Sequence, residues 1–253
     1  MICVLFERTG VSLFEYRVSD SLRCSVLRAP LVYHRPMCGR YTLTVSARVL
    51  ADVFSTPEIA GLEPRYNIAP TQPVVIIRAT DAGHRRMTRV RWGLIPSWAK
   101  EAKIGARMIN ARGETVASKP AFRAAVKSRR CLVPADGFYE WMKTGAGKQP
   151  HLIRFFDHRP FAFAGLWETW RPADGDPVES CTIITTTPND LVAPIHDRMP
   201  VILPSSVHDE WLARRPIDEP RLEQILIPFP ADEMEAFPVS TRVNTPVNDD
   251  PEC

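Results

Sequence analysis

Twenty-four prolines are scattered through this 253-residue chain rather than gathered into one tract. Each fixes φ near about −65° and removes a backbone donor, which favours short strands and many turns over long helices. Gly39–Thr44 reads as a short strand, after which Ser46 caps a helix to about Phe54 with Val49, Leu50 and Val53 on one face. Residues 55–66 read as a loop leading to Pro70, and 73–78 and 87–95 as a hairpin turning at Asp81-Ala82-Gly83. Ser118 with Pro120 signals a helix to about Lys127. Strands are predicted at 130–134, 137–143, 150–156, 161–168 and 180–187, with Gly145-Ala146-Gly147 as a turn. Asn189 or Asp190 is expected to cap a short helix ending near His196, and Ser205 or Ser206 to open another carrying Trp211 and Leu212. The fold class this implies is α+β: one domain on antiparallel, partly barrel-like sheets with a few short helices.

Residues 1–36 fit that pattern poorly. Glu7, Glu15 and Asp20 break up their apolar stretches, so no secretory core forms, and no periodicity is tied to a turn signal. The expectation is a non-native leader or propeptide at 1–36, the domain at 37–244, and a loose tail at 245–253. An ordinary N-terminal strand is the alternative for the leader. Five arginines and three acids leave with the leader, and the formal charge falls from +3 to +1. A generally basic nucleic-acid coat is thereby excluded, and any DNA binding rests on a local groove.

The cysteines at 3, 24, 38, 131, 181 and 253 form no Cys-x-x-Cys pair and no cluster with zinc-ligand spacing. Neither a metal nor another cofactor is expected, and reduced thiols in a cytoplasmic setting are. Gly-rich phosphate loops and a GxSxG elbow are absent, which counts against nucleotide hydrolysis and α/β-hydrolase chemistry. No apolar run approaches the roughly 18 residues of a membrane span. No heptad seam is present, so a monomer is expected.

Cys38 directly follows Met37. Removal of everything before it would leave an α-amine and a thiol on one residue, a pairing that captures aldehydes. The amine forms an imine and the thiol closes a five-membered thiazolidine. An α-amine has a reference pKa of about 7.7–8.0, so it is partly neutral near pH 7 without the burial a lysine needs. Taken alone the dipeptide is a weak signal, because a lone cysteine is more often an inert packed residue. Glu140 stands between aromatics in Asp136-Gly-Phe-Tyr-Glu-Trp141, where burial would suit it to general acid work, though pairing with arginine is the common fate of a strand glutamate. His196 in His196-Asp-Arg198 is a proton shuttle or a helix-end ion pair. Asn110-Ala-Arg112-Gly-Glu114 gathers amide and guanidinium groups, and Arg91 to Trp98 places tryptophans near arginines, as base stacking or as core.

Six segments in this order resemble the SOS response-associated peptidase (SRAP) family, which shields abasic sites in single-stranded DNA. They are Met-Cys-Gly-Arg-Tyr at 37–41, Arg-Tyr-Asn-Ile-Ala-Pro at 65–70, Trp-Gly-Leu-Ile-Pro at 92–96, Ile-Asn-Ala-Arg-Gly-Glu-Thr at 109–115, Ala-Asp-Gly-Phe-Tyr-Glu-Trp at 135–141 and Ile-His-Asp-Arg-Met-Pro at 195–200. The resemblance implies that Cys38 forms a thiazolidine with the ring-opened sugar. It implies that Asn110 positions the amine, Glu140 serves as general acid and base, and His196 donates the proton for ring opening. Arg40, Arg112 and Arg198 are implied as phosphate contacts, with Asn67, Pro70, Trp92 and Leu94 holding a bent strand. It also implies self-removal of whatever precedes Cys38 by the same groups, a hydrolase and lyase repertoire, and location on the nucleoid when bound. With a residue still attached before Cys38, thiazolidine chemistry is impossible. A cysteine peptidase acting on other proteins, with Cys38 and His196 as nucleophile and base, and a non-catalytic single-strand-binding module are the competing readings.

Overall fold

A computed structural model describes residues 38–145 and 147–253. The expected leader, 1–36, and the turn residue Ala146 lie outside the described residues. Thirteen strands are present among those described: β1 (Tyr41–Leu43), β2 (Arg65–Ile68), β3 (Pro73–Ala79), β4 (Arg85–Trp92), β5 (Asn110–Arg112), β6 (Arg130–Ala135), β7 (Gly137–Thr144), β8 (Gly147–Phe155), β9 (Phe161–Trp170), β10 (Val178–Thr186), β11 (Met199–Pro200), β12 (Ile202–Leu203) and β13 (Met234–Pro238). Four short helices join them: α1 (Ala47–Phe54), α2 (Ala125–Ser128), α3 (His208–Leu212) and α4 (Glu219–Ile225).

The strands form two sheets. One has five strands in the order β13-β8-β7-β1-β2. The other runs β11-β10-β4-β3-β6-β9-β12, and an additional pairing of β9 with β10 closes five of its strands into a ring. Closure removes the exposed edges that such short strands would otherwise present. Pairing is antiparallel throughout except where β10 runs parallel to β4 and to β5. The α+β, barrel-like expectation is met.

Aromatic side chains lock the two sheets together. Tyr41, from the five-stranded sheet, meets Trp92 and Phe163 of the ring edge-on, with centroids 5.3 and 5.8 Å away. Phe138 on β7 meets the same Phe163 at 6.1 Å. Edge-to-face pairs of this kind add roughly 0.5–1.5 kcal/mol each beyond their buried area. Trp92 is 1% exposed and its indole N–H donates to the Ile109 carbonyl, 2.9 Å away. The next residue, Gly93, has φ +122°, and a Cβ there would stand 2.6 Å from the Gly105 carbonyl oxygen. Only glycine allows the chain to turn out of β4 against that backbone.

Several local expectations need correction. On α1 the buried residues are Leu50 and Phe54, while Val49 and Val53 are exposed; the true stripe is i, i+4 from Leu50. The helix expected from Ser118 reduces to turns and the four-residue α2, and residues 189–196 form capped turns rather than a helix. The 55–66 loop ends early because Arg65 and Tyr66 open β2. Residues 245–253 are not a loose tail. Asp249 accepts hydrogen bonds from the backbone N–H groups of Tyr66 and Asn67 at 2.6 and 2.8 Å and pairs with Arg65. The Asn67 amide in turn donates to the carbonyls of Val243, Thr245 and Asn248 at 3.1, 3.1 and 2.6 Å. One buried asparagine and one aspartate thus fasten the C-terminal segment along β2.

Candidate functional site

The site is assembled where β1 meets β7. Tyr41 pairs with Phe138 and Thr42 with Gly137, so the chain ahead of β1 runs back along β7 toward Glu140. A buried carboxylate sets that register. Asp136 accepts from the hydroxyls of Thr42 and Thr44 at 2.5 and 2.7 Å, and from the backbone N–H groups of Thr44 and Val45 at 2.5 and 3.2 Å. Tyr139 N–H closes the other side on the Arg40 carbonyl, 3.0 Å away.

Cys38 is carried by this arrangement to a buried position, 4% exposed, where its backbone nitrogen donates to Glu140 Oε1 at 2.9 Å. Its φ of +45° lies in the left-handed region, unusual for a residue with a side chain. Its Sγ faces the Arg198 carbonyl at 4.0 Å. The second oxygen of Glu140, Oε2, stands 3.8 Å from His196 Nε2. His196 Nδ1 lies 3.1 Å from the Arg198 backbone nitrogen and 3.3 Å from its carbonyl oxygen, so the Arg198 backbone holds the ring with Nε2 toward Glu140. Asp197 Oδ1 lies 3.1 Å from the same Nδ1 and gives a partner when that nitrogen is protonated. The turn presenting His196 is itself held by Asn189, whose side chain accepts from Val192 N–H at 3.0 Å.

Electrostatics follow from burial. The Glu140 carboxyl is pushed up by desolvation, opposed by the neighbouring His196 and by its hydrogen bonds from Cys38. The Cys38 thiol is pushed well above its ordinary range by desolvation and by the Glu140 charge, with Arg198 opposing. A protonated thiol and a carboxyl inclined to hold a proton therefore share one pocket with an imidazole. Such a set can pass protons to and from the Cys38 nitrogen.

The structure brings Cys38, Glu140 and His196 together, as expected. Asn110 stands on β5, paired in register with Ile183, at the start of the segment whose Glu114 reaches Arg198. Arg112 is exposed and Pro70 half-buried. The remaining expected DNA contacts are otherwise engaged. Arg40 donates to Asn67 Oδ1 at 2.8 Å and to the carbonyls of Val243 and Asn244 at 2.5 and 3.2 Å, and its guanidinium stands 6.0 Å from the Trp141 ring. Asn67 is fully buried, holding the C-terminal segment. Trp92 and Leu94, expected to hold a strand, are buried in the core at 1% and 0% exposure. Trp98 from the same stretch is 59% exposed. Arg198 is 9% exposed and forked onto Glu114. Asp136 and Glu114 were not expected to serve the site. No spacing rule links either to partners about 90 residues distant.

Among the described residues no cluster of three or more His, Cys, Asp or Glu could hold a metal ion, and no helix is long and apolar enough to cross a membrane.

Comparison with known proteins places this geometry in a lineage. Residues 37–246 match the family described as SOS response associated peptidase (SRAP). The chain is 46% identical over 220 residues to the abasic site processing protein YoqW of Bacillus subtilis (strain 168), covering 85% of this chain and 98% of that one. It is 35% identical over 260 residues to the abasic site processing protein HMCES of Gallus gallus, covering 86% of this chain and 77% of that one. A crystal structure of a Bacteroides thetaiotaomicron protein superposes with a TM-score of 0.77 at 28% identity, over 85% of this chain and 97% of that one. Motifs, matched length and architecture agree: the chain belongs to the SOS response-associated peptidase (SRAP) family.

Proposed function

We propose that this protein binds single-stranded DNA at abasic sites and joins itself covalently to the sugar through Cys38 once that residue carries a free α-amine. The observation that carries the reading is the position of the Cys38 nitrogen, 2.9 Å from one oxygen of a buried carboxyl whose other oxygen faces His196 at 3.8 Å. The names of the Bacillus and chicken relatives, abasic site processing proteins, support the same substrate.

The chemistry balances as follows. The neutral amine adds to the C1′ aldehyde of the ring-opened sugar, and water leaves to give an imine. The thiol adds across the C=N bond, with sulfur bonding to C1′ and the thiol proton passing to nitrogen. One water is lost overall and nothing is oxidised. Glu140 takes the proton released by the attacking amine and returns it to the departing hydroxyl, work suited to a carboxyl with a raised pKa. His196 supplies the proton for ring opening, and Asn110 orients the amine. Where Met37 still precedes Cys38, the same groups would add water across that peptide bond and release the amine. Arg112 and Trp98 are both exposed, which suits them to meet phosphate and base.

A peptidase acting on other proteins through a Cys38 thiolate is less well supported. Burial and the Glu140 charge raise the thiol's pKa and so disfavour a resting thiolate, whereas thiazolidine closure lets sulfur add to the imine as its proton passes to nitrogen.

The test is intact mass after mixing the protein with an oligonucleotide bearing one abasic site, using one version that starts at Met37 and one that carries residues 1–36. The expected result is an adduct equal to both masses less one water, only where Cys38 is the first residue. Absence of an adduct with Cys38 confirmed as the free terminus would sink the proposal.

A further inference from the structure

Arg198 is the residue through which the site's separate pieces meet, and one carboxylate holds it. Its backbone N–H holds His196 Nδ1 at 3.1 Å, and its carbonyl is the neighbour of Cys38 Sγ at 4.0 Å. Its guanidinium is turned the other way. Nη1 and Nη2 fork onto the two oxygens of Glu114 at 2.5 and 2.9 Å, and Nη2 also donates to the Thr185 carbonyl at 2.7 Å. The fork is bidentate, the arrangement that fixes direction as well as distance. Arg198 is nearly buried, while Glu114 keeps about half of its side chain in solvent. Glu114 follows β5 by two residues, so the fork ties the Asn110 segment to the loop that presents His196.

We infer that Glu114 is a positioning residue for this site, acting through Arg198 to hold His196 and the Cys38 thiol in reacting geometry. The inference rests on the proposed abasic-site chemistry and gives Glu114 a duty that the family resemblance does not name. The Glu114 carboxyl is held below its usual range, chiefly by the hydrogen bonds from Arg198, so the fork stays charged across the neutral range.

Two roles predict different kinetics. A phosphate contact contributes to DNA affinity and to its salt dependence. A positioning pair contributes to the rate at saturating DNA, because small misplacements of reacting groups cost rate rather than binding.

The experiment compares the wild-type chain having Cys38 as first residue with its Glu114→Gln and Glu114→Asp variants, well below the unfolding midpoint of each, on an abasic-site oligonucleotide. Adduct formation is followed as a function of DNA concentration, at two salt concentrations. The expected result is a maximal rate lower by roughly 10- to 100-fold in Glu114→Gln, with the half-saturating DNA concentration and its salt dependence unchanged. Glu114→Asp, which keeps the charge, recovers part of the rate. A Glu114→Gln variant that reacts at the wild-type maximal rate, or whose defect lies in half-saturation alone, overturns the inference. A wild-type protein with a verified Cys38 amine that forms no adduct overturns the abasic-site reading instead, and this inference falls with it.

Discussion

The backbone nitrogen of Cys38 and Oε1 of Glu140 are 2.9 Å apart, although 102 residues of chain separate them. Burial makes that carboxyl hold its proton more tightly in the folded protein than in the unfolded chain. A group of this kind contributes stability that is fully present below its unfolded pKa and is lost as pH rises through its folded pKa. Glu140→Gln, which cannot ionise, should therefore match the wild type in Tm at acidic pH and exceed it increasingly toward alkaline pH. Thermal unfolding across a pH series checks this, and a variant less stable than wild type at every pH would contradict it. The same substitution should slow adduct formation by about 100-fold or more, since it removes the proton carrier.

Asp136 should prove structurally indispensable to the site without touching substrate. Its carboxylate collects four hydrogen bonds from Thr42, Thr44 and Val45. Asp136→Ala should cost roughly 2–4 kcal/mol in denaturant unfolding, because the donors it leaves are partly shielded from water. A loss below about 0.5 kcal/mol, within the usual scatter for surface changes, would refute the assignment.

Two tryptophans six residues apart should separate stability from binding. Trp92→Phe removes a core indole and its bond to Ile109, and should lower the unfolding free energy by roughly 1–3 kcal/mol with single-strand affinity intact. Trp98→Ala should leave Tm unchanged and weaken binding by roughly 1–3 kcal/mol if bases stack there. Fluorescence anisotropy with a labelled single strand reads the second effect. Equal affinity for wild type and Trp98→Ala would remove Trp98 from the binding surface.

Asn67 tests the C-terminal segment. Its amide donates to three carbonyls of residues 243–248 and accepts from Arg40. Asn67→Ala should speed hydrogen exchange specifically in residues 243–249 and in β2, with a stability loss of roughly 2–3 kcal/mol. Unchanged exchange in that stretch would show that Asp249 and Arg40 hold it without the asparagine.

Much of this architecture was legible from local patterns. Turn residues and alternation located β3, β4 and β6 to β10, and the Ser46 cap located α1, because those signals act within a few residues. The six motifs located Cys38, Glu140 and His196. What stayed hidden was decided by partners remote in sequence. Residues 245–253 look like a tail by composition, and only β2 makes them ordered. Trp92 and Leu94 read equally as a binding surface or as core until the ring closes over them. Nothing local in the sequence pairs Arg198 with Glu114, 84 residues earlier.

The left-handed backbone at Cys38 has a bearing on which form of the chain the fold prefers. Holding a side-chain-bearing residue in that region costs about 1–2 kcal/mol, and a φ angle exists only for a residue that has another before it. On the proposed reading, in which Cys38 becomes the first residue, that dihedral no longer exists. The torsion at Cys38 would then be one that the continuous chain bears and the proposed mature form does not.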